Sequence, residues 1–442
     1  MEISRRSFLG TGAAMVAGTM ASRSVFGANE RIRMCVVGCG GRGGSHTSAW
    51  TGSSMSDLVA VVDADERPRM YRARMAERAQ DGKEVKMYAD LREALADGGF
   101  DAISIATPHH WHALATQWGI EAGVDVFVEK PMSWSYFEGQ ALVALQQKYP
   151  DRIIYHGAQR RSDARWRRDV KLLQSGEIIG PVYMARGLGY KNGNRGSLGF
   201  KDSEEPPSKL AWDLWQGPAS RQAFNPAFHP YNWHWFWHYG NGEIGNQGVH
   251  QMDLCSWVME SKGLPVKVFS EGGRYTYDDM GETPNTNVAT LKYADGTMSV
   301  FEVRNRFTNN EGGRMINGKY HGGVGVGNLF YADEGYYVEG QGFFDTKNEP
   351  IELSTDEYPY PEGGNHYENF LKAIKSRNAE DIRGNAQEAH LSSAHCHLAN
   401  ISYRVGQSLD FDPKSEQITN TAEANAMLTR EYAEGFEVTM PA

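Results

Sequence analysis

Apolar runs and amphipathic stretches alternate through the first third of the chain. The apolar runs are five to seven residues long and are typical of buried strands; they cover residues 31–37, 58–62, 101–106 and 124–128. Stretches with helical periodicity, at 44–51 and 91–96, lie between these runs. Because strand and helix alternate, the pattern predicts a parallel sheet with right-handed crossovers, as in an α/β fold.

The rest of the chain is richer in strands. Helices are predicted at 165–174, 367–376 and 386–405, and strands from 182 onward and at 266–271, 287–293, 298–303 and 335–339. Strands grouped in this way favour one large sheet. A chain of 442 residues is too long for one compact core. We therefore predict a first domain at 29–155 and a second, substrate-binding and oligomerisation domain at 156–442.

The first 28 residues have the pattern of an export signal. Arg5 and Arg6 are followed by Phe8 and Leu9, then by a short apolar stretch at 11–21 and a segment rich in small residues. The paired arginines before Phe-Leu resemble the twin-arginine signal. A general secretory signal or a short amphipathic anchor is the alternative. We expect the segment to be removed and the protein to be periplasmic or otherwise exported.

Composition excludes several classes of protein. The net charge is −10, and an acidic chain without a long basic stripe argues against nucleic acid as a partner. After the signal, no run reaches the roughly 18 apolar residues that a membrane-spanning helix needs. The four cysteines have no zinc-site spacing, so we predict no metal and expect all four to be buried.

A glycine motif follows the first predicted strand directly. Its candidate cofactor-binding residues are Gly38, Gly40, Gly41, Arg42 and Gly43. In a G-x-G-x-x-G turn the first glycine makes the tight turn, the second lets a pyrophosphate approach the backbone, and the third allows close helix–strand packing. The N-terminus of the next helix offers free N–H groups to the phosphates. This arrangement predicts a dinucleotide-binding domain.

An acidic residue ends the second predicted strand. Asp63 lies 20 residues after the last glycine of the motif, where a carboxylate holds the ribose hydroxyls of NAD. A carboxylate there repels the 2′-phosphate of NADP, so we predict NAD. Arg67 and Arg69 nearby leave NADP as the alternative.

Two more loops follow predicted strands and carry polar residues. The first contains Thr107, Pro108 and His112, and the second contains Glu129 and Lys130. Both leave the carboxyl ends of strands, where ligands bind in open α/β sheets, so we expect these residues at the cofactor. The histidine-rich composition of the first loop is similar to a metal site, but its spacing and its proline fit cofactor contact better.

These motifs together resemble the Gfo/Idh/MocA oxidoreductases. The resemblance rests on the glycine loop, on the segments 106–112 and 129–131, and on 245–253, similar to the family's Asp-x-Gly-x-His-x-x-Asp segment. It implies a Rossmann domain plus an α/β domain with a large, mostly antiparallel open sheet, acting on sugars or polyols by hydride transfer with nicotinamide. It also implies catalytic roles for Lys130 and His250. Asn246 departs from the family pattern, because an amide replaces the usual aspartate.

Residue chemistry supports a site around Lys130. An ammonium group is costly to bury after an apolar strand, and burial would lower its pKa into a useful range. Asn246, His250 and Asp253 are spaced to share one helix face. We expect Asn246 to orient His250, and His250 to accept a hydroxyl proton. Asp253 is interpreted equally well as a substrate ligand or as a structural group.

An aromatic segment and a polar turn are further substrate candidates. Residues 231–239 include Trp233 and His234, which an extended chain would place on opposite sides. Indoles stack on sugar faces and imidazoles bind hydroxyls, but an aromatic core or a subunit contact fits equally well. Gln159 and Arg160 lie where the chain leaves the first domain. Their long side chains either contact the substrate or form interdomain ion pairs.

The sequence predicts an exported NAD-dependent oxidoreductase that acts on a sugar, polyol or glycoside, assembled as a homodimer or homotetramer. One alternative is a glycoside-cleaving enzyme that uses transient oxidation and elimination with recycled NAD. Another is a sugar-binding protein that retains the nucleotide only for structure.

Overall fold

The computed structural model describes residues 30–191, 196–305, 308–316, 319–378 and 381–441. The predicted signal segment lies outside these ranges. The chain forms a parallel sheet with flanking helices, followed by a large mixed sheet.

The first domain consists of alternating strands and helices. Its strands are β1 (Ile32–Val37), β2 (Ser56–Val62), β3 (Lys86–Tyr88), β4 (Ala102–Ile105), β5 (Asp125–Val128) and β6 (Ile154–His156). Its helices are α1 (Gly41–Gly52), α2 (Glu66–Ala79), α3 (Leu91–Asp97), α4 (His112–Glu121) and α5 (Tyr136–Lys148). The strand order β3-β2-β1-β4-β5-β6, with every pair parallel, is that of a Rossmann fold. The predicted parallel sheet is confirmed.

The second domain is built on a sheet of ten strands. In chain order, its first elements are α6 (Ala164–Ser175), β7 (Val182–Tyr190), α7 (Trp212–Gln216), α8 (Val249–Val258), β8 (Lys267–Gly273), β9 (Thr286–Lys292) and β10 (Met298–Arg304). Those that follow are β11 (Arg314–Ile316), β12 (Lys319–His321), β13 (Val326–Ala332), β14 (Gly335–Val338), β15 (Gly342–Asp345), β16 (Pro350–Ile351), α9 (His366–Ser376), α10 (Ala386–Val405), β17 (Leu409–Asp412), β18 (Gln417–Ile418) and α11 (Ala422–Ala426).

This second sheet is mostly antiparallel, as the resemblance implied. Its order is β16-β15-β14-β13-β7-β10-β9-β8-β17-β18, and among the strand pairs of the described ranges only β7 and β10 are parallel. Helices α6, α8 and α10 cover one face and form with it the largest apolar core. The other face carries a smaller buried cluster, made of Leu188, Tyr190, Val324, Leu329, Val338 and Phe344, and exposes Phe269 and Val288 beyond it. β11 and β12 form a separate hairpin.

Segments late in the chain return to the first domain. Tyr367 and Phe370 of α9 pack against Trp50 and Phe127, on one side of the parallel sheet. Near the C-terminus, Phe436 packs in the core on the other side of that sheet. The two domains therefore share buried apolar surface, which stabilises their relative placement.

Candidate active site

A cavity of about 960 Å³ runs from the carboxyl ends of the parallel strands to the start of α8. Most of the predicted site residues line it: Gly38, Gly40, Gly41, Arg42, Asp63, Thr107, Pro108, His112, Glu129, Lys130, Gln159, Trp233, His234, Asn246 and His250. Gly43, Arg160 and Asp253 do not belong to its lining. The fold thus brings together groups that are far apart along the chain.

The glycine turn between β1 and α1 has the geometry that a dinucleotide requires. Gly38 has φ +93°, and a Cβ there would lie 2.6 Å from the backbone nitrogen of Thr107. A Cβ at Gly43 would lie 1.9 Å from the Gly38 carbonyl oxygen, so this glycine is required for packing. Gly40 instead borders open space. Because α1 begins beside that space, its free N–H groups fit the phosphates of a dinucleotide.

Asp63 lies at the end of β2 and faces the glycine turn. Its carboxylate accepts hydrogen bonds from the backbone N–H of Cys39 at 2.6 Å and of Asp65 at 2.8 Å. Burial raises the pKa of Asp63 to about 6, although these two bonds oppose the shift. Arg69 donates to the Asp63 carbonyl at 2.6 Å, and Arg67 pairs with Asp65 at 2.7 Å. Both arginines therefore already have oxygen partners.

Glu129 is an ionised carboxylate buried beside the glycine turn. Arg42 Nε lies 2.7 Å from Glu129 Oε1, and His46 Nε2 lies 3.0 Å from the same oxygen. Burial opposes ionisation, but His46 and Arg42 together hold the pKa of Glu129 well below its usual value. The sequence prediction omitted His46. The available signal was its position four residues after Arg42, on the same face of α1.

His112 is buried between the two motif loops. Its ring nitrogens lie 2.6 Å from the Pro131 carbonyl oxygen and 2.9 Å from the Thr107 carbonyl oxygen. This side chain therefore joins the loop after β4 to the loop after β5, and it holds both at the cavity wall. The Lys130–Pro131 peptide bond is cis.

Lys130 bonds to the turn that precedes α8. Its Nζ donates to the backbone carbonyl of Asn246 at 2.7 Å and to Oδ1 of the same residue at 3.3 Å. Burial lowers the pKa of Lys130 to about 8, as the sequence argument expected. The Asn246 amide also donates to Glu243 Oε2 at 3.1 Å. The Asn246 side chain is therefore held by Lys130 and Glu243, and its role in orienting His250 stays a prediction.

The predicted shared helix face is interrupted by a π-helical turn over Ile244–Gly248. His250 follows in α8 and lines the cavity. Burial, and then the nearby charge of Lys130, hold the pKa of His250 well below its usual value, so its imidazole is neutral and a weak base. Asp253 lies elsewhere, paired with Arg161 at 3.0 Å, and both residues are buried. The structural interpretation of Asp253 is the one that this contact favours.

The aromatic segment is not extended, contrary to the sequence prediction. Residues Asn232–Trp235 form a 3₁₀ turn, which stacks the rings of Trp233 and His234 with centroids 3.5 Å apart. Both rings line the cavity. His109 packs against them, at 4.8 Å from the Trp233 ring and 5.4 Å from the His234 ring. The sequence analysis assigned the histidine-rich loop after β4 to cofactor contact and missed this contact of His109, since it depends on the tertiary fold.

Gln159 and Arg160 have different surroundings. Gln159 lines the cavity, whereas Arg160 pairs with Glu339 at 3.0 Å and donates to Asn328 at 3.4 Å. Arg160 therefore connects the start of the second domain to the large sheet. The sequence left open an interdomain ion pair for Arg160, but the pair that forms lies within the second domain, because Glu339 follows β14.

A long segment of the second domain, residues 196–231, crosses the cofactor end of the cavity; we call it the strap. Leu210 forms an antiparallel bridge with Asp65, and backbone hydrogen bonds join Lys209 to Glu66 at 2.9 Å and Ala211 to Ala64 at 3.0 Å. The strap residues that line the cavity are Glu204, Pro207, Leu214, Trp215, Phe224, Pro226, His229, Pro230 and Tyr231. The strap therefore forms one wall of the cofactor end of the cavity.

Further features of the described part of the chain concern metal ligands, cysteines and membrane-spanning helices. Within the described ranges, no group of three or more His, Cys, Asp or Glu side chains has an arrangement that could hold a metal ion. The four cysteines are free and buried. Among the helices that the structure describes, none is both long and apolar enough to cross a membrane.

A Rossmann sheet, a glycine turn shaped for phosphates, and a lysine of lowered pKa in the same cavity define the class of dinucleotide-dependent oxidoreductases. Family comparison agrees with the geometry. Residues 32–156 match the model described as "Oxidoreductase family, NAD-binding Rossmann fold", and residues 170–438 match "Oxidoreductase family, C-terminal alpha/beta domain". The chain belongs to the Gfo/Idh/MocA oxidoreductase family.

Curated relatives match over part of their length. Inositol 2-dehydrogenase 1 of Saccharopolyspora erythraea is 36% identical over 153 residues, which are 34% of this chain and 44% of the relative. Inositol 2-dehydrogenase of Corynebacterium glutamicum is 30% identical over 161 residues, 36% of this chain and 46% of the relative. The matched region therefore spans just under half of each relative.

Solved structures show the same fold over most of the chain. The WlbA dehydrogenase from Chromobacterium violaceum, in complex with NADH and UDP-GlcNAcA, has a TM-score of 0.64 and 18% identity, covering 87% of this chain and 97% of that one. Apo scyllo-inositol dehydrogenase from Lactobacillus casei has a TM-score of 0.58 and 15% identity, covering 86% and 98%. At these identities the likeness concerns the fold alone.

Proposed function

We propose that this protein is an exported, NAD-dependent dehydrogenase that oxidises a hydroxyl group of a neutral sugar or polyol. One observation carries the proposal: a continuous cavity joins the glycine turn to Lys130, His250 and the stacked pair Trp233–His234. The curated relatives that share its first domain are inositol 2-dehydrogenases, whose substrates are polyols by name.

The residues of the first domain fit a bound NAD. The open space at Gly40 and the N-terminus of α1 suit the pyrophosphate, and Asp63 suits the ribose hydroxyls. Arg67 already pairs with Asp65, and Arg69 already donates to the Asp63 carbonyl. Neither arginine is therefore reserved for the 2′-phosphate of NADP, which favours NAD. When bound, nicotinamide supplies the hydride acceptor.

Lys130 is the proton acceptor in this proposal. With a pKa of about 8, a substantial fraction of the amine is neutral under mildly alkaline conditions, and the neutral amine takes the hydroxyl proton at Nζ. The neutral imidazole of His250 is a hydrogen-bond partner that places the same hydroxyl. Reversal of the reaction returns the proton from the Lys130 ammonium to the carbonyl oxygen.

The lining of the cavity favours an uncharged substrate. Among the described lining residues, the lysines and arginines are Arg42, Arg67 and Lys130. Arg42 pairs with Glu129 and Arg67 pairs with Asp65, so neither is free to bind a substrate carboxylate. The wall formed by Trp233, His234 and His109 offers ring faces and hydroxyl partners, a surface suited to a sugar ring.

Purified protein is expected to carry NAD, retained under the strap, and to reduce it when a neutral polyol or sugar is added. Denaturation followed by chromatography identifies the released nucleotide, and absorbance follows its reduction across a panel of inositols, aldoses, glycosides and uronic acids. NADP in the released fraction would contradict the cofactor assignment. Reduction by uronic acids alone would contradict a neutral substrate.

Export is the part of the proposal that the N-terminal sequence supports. Replacing both arginines of the motif (Arg5→Lys and Arg6→Lys together) is expected to abolish export and to leave the precursor in the cytoplasm, because the twin-arginine pair is the recognition element. Cell fractionation and immunoblotting measure this, with Arg23→Lys as the matched control. Unchanged export of the double variant would exclude this route.

A further inference from the structure

A buried carboxylate lies behind Asn246, on the side away from Lys130. Glu243 is 1% exposed and immediately precedes the π-helical turn. Its Oε2 accepts the Asn246 amide at 3.1 Å, and its Oε1 lies 3.3 Å from Nζ of Lys191, the residue after β7. An ion pair in the interior is costly unless each charge is compensated, so this arrangement needs a physical reason.

The carboxylate determines which end of the Asn246 amide faces Lys130. A carboxylate accepts hydrogen bonds, so the amide turns its Nδ2 toward Glu243. Its Oδ1 then faces Lys130 Nζ at 3.3 Å, beside the backbone carbonyl bond of 2.7 Å. If the amide were rotated by half a turn, its Nδ2 donor would face the Lys130 donor, and its Oδ1 acceptor would face the Glu243 carboxylate oxygen. Glu243 therefore selects the orientation in which Asn246 accepts from Lys130.

The same carboxylate acts on the charge of Lys130. Burial is the largest influence on Lys130 and lowers its pKa; the charged groups that act next are Glu129 and Glu243, which raise it, and Arg42 and Lys191, which lower it. Further titratable groups near Lys130 are kept neutral by burial: the imidazoles of His109, His112 and His250 and the thiol of Cys396. Glu243 and Lys191 thus act on Lys130 in opposite directions.

We propose that Glu243 is a positioning residue for Lys130: it holds the Asn246 amide in the orientation in which Oδ1 accepts from the lysine, and its partner Lys191 holds the carboxylate in turn. The inference rests on the proposed role of Lys130 as proton acceptor. The pair Glu243–Lys191 therefore adjusts, beside the larger effect of burial, the pH at which the amine becomes available for catalysis, and neither residue lines the cavity.

The test measures the proton affinity of Lys130 directly. Trace acetylation of the full-length protein by acetic anhydride, at a series of pH values, labels only the neutral amine, and mass spectrometry of the Lys130 peptide gives the labelling midpoint. In Glu243→Gln the midpoint is expected to fall by about one pH unit, because a nearby carboxylate stabilises the ammonium form. In Lys191→Met it is expected to rise. Lys267→Met, an exposed lysine on β8, is the matched control and leaves the midpoint unchanged.

Opposite shifts in the two variants support the proposal. Midpoints that stay unchanged, or move in the same direction, overturn it. If Glu243→Gln does not fold, Lys191→Met decides alone: a rise of the Lys130 labelling midpoint supports the proposal, and an unchanged midpoint overturns it. Because labelling requires no substrate, the result is independent of the proposed reaction: a shift without sugar oxidation refutes only the proposed function, and oxidation without a shift refutes only the role of Glu243.

Discussion

Replacing Lys130 with alanine is expected to reduce turnover by about 10²–10⁴-fold, the usual effect of losing a positioned acid or base. The loss corresponds to roughly 3–5 kcal/mol of activation free energy. Nucleotide content and folding should be retained, because Glu129, Arg42 and the glycine turn keep their mutual contacts without the lysine. Steady-state kinetics with the sugar found in the substrate screen, beside nucleotide quantification, measure both quantities.

The pH dependence supplies a second criterion. Because the pKa of Lys130 is lowered to about 8, wild-type oxidation should increase with pH and level off above that value as the amine becomes neutral. The residual activity of Lys130→Ala should lose this dependence. Lys372→Ala, a half-exposed lysine paired with Glu362, is the control and should behave as the wild type. Near-wild-type turnover by Lys130→Ala would remove the lysine from the mechanism.

The fold was predictable where local pattern and tertiary structure agree. The predicted strand at 298–303 forms as Met298–Arg304, and the predicted helix at 386–405 forms as Ala386–Val405. The segment 231–239 shows the opposite case, because its alternating rings predicted an extended chain but form a 3₁₀ turn packed on His109. Tertiary packing outweighed the local pattern there.

The site was predictable as far as motif residues could identify it. Lys130 was found because a lysine directly after a buried strand is costly without a function. His46 and Glu243 were missed, since each acts through a partner that only the fold brings near: Glu129 for the first and Asn246 for the second. The strap could not be foreseen either, because no periodic pattern indicates which surface an irregular segment covers. The domain boundaries and the homodimer or homotetramer stay predictions.

The glycine turn offers the second large effect, because its glycines serve different purposes. Gly43→Ala would place a Cβ 1.9 Å from the Gly38 carbonyl oxygen, a backbone atom that cannot move aside without displacing β1 from α1. We expect this variant to lose about 1–3 kcal/mol of unfolding free energy and its nucleotide as well. Gly40→Ala meets no protein atom within 4 Å but extends into the space proposed for the pyrophosphate. It should lose the nucleotide and keep a stable fold.

Comparison of nucleotide-free protein separates these two causes. Chemical denaturation of the stripped proteins measures unfolding free energy, and calorimetry with added NAD measures binding. Gly52→Ala, at the end of α1 with open space around it, is the matched control and should change neither quantity. Gly40→Ala should differ from the wild type by less than about 1 kcal/mol in stability, the scale of a changed helix cap. If Gly40→Ala binds NAD as tightly as the wild type, the phosphates do not approach the chain at this turn, and the cofactor must enter the cavity in another orientation.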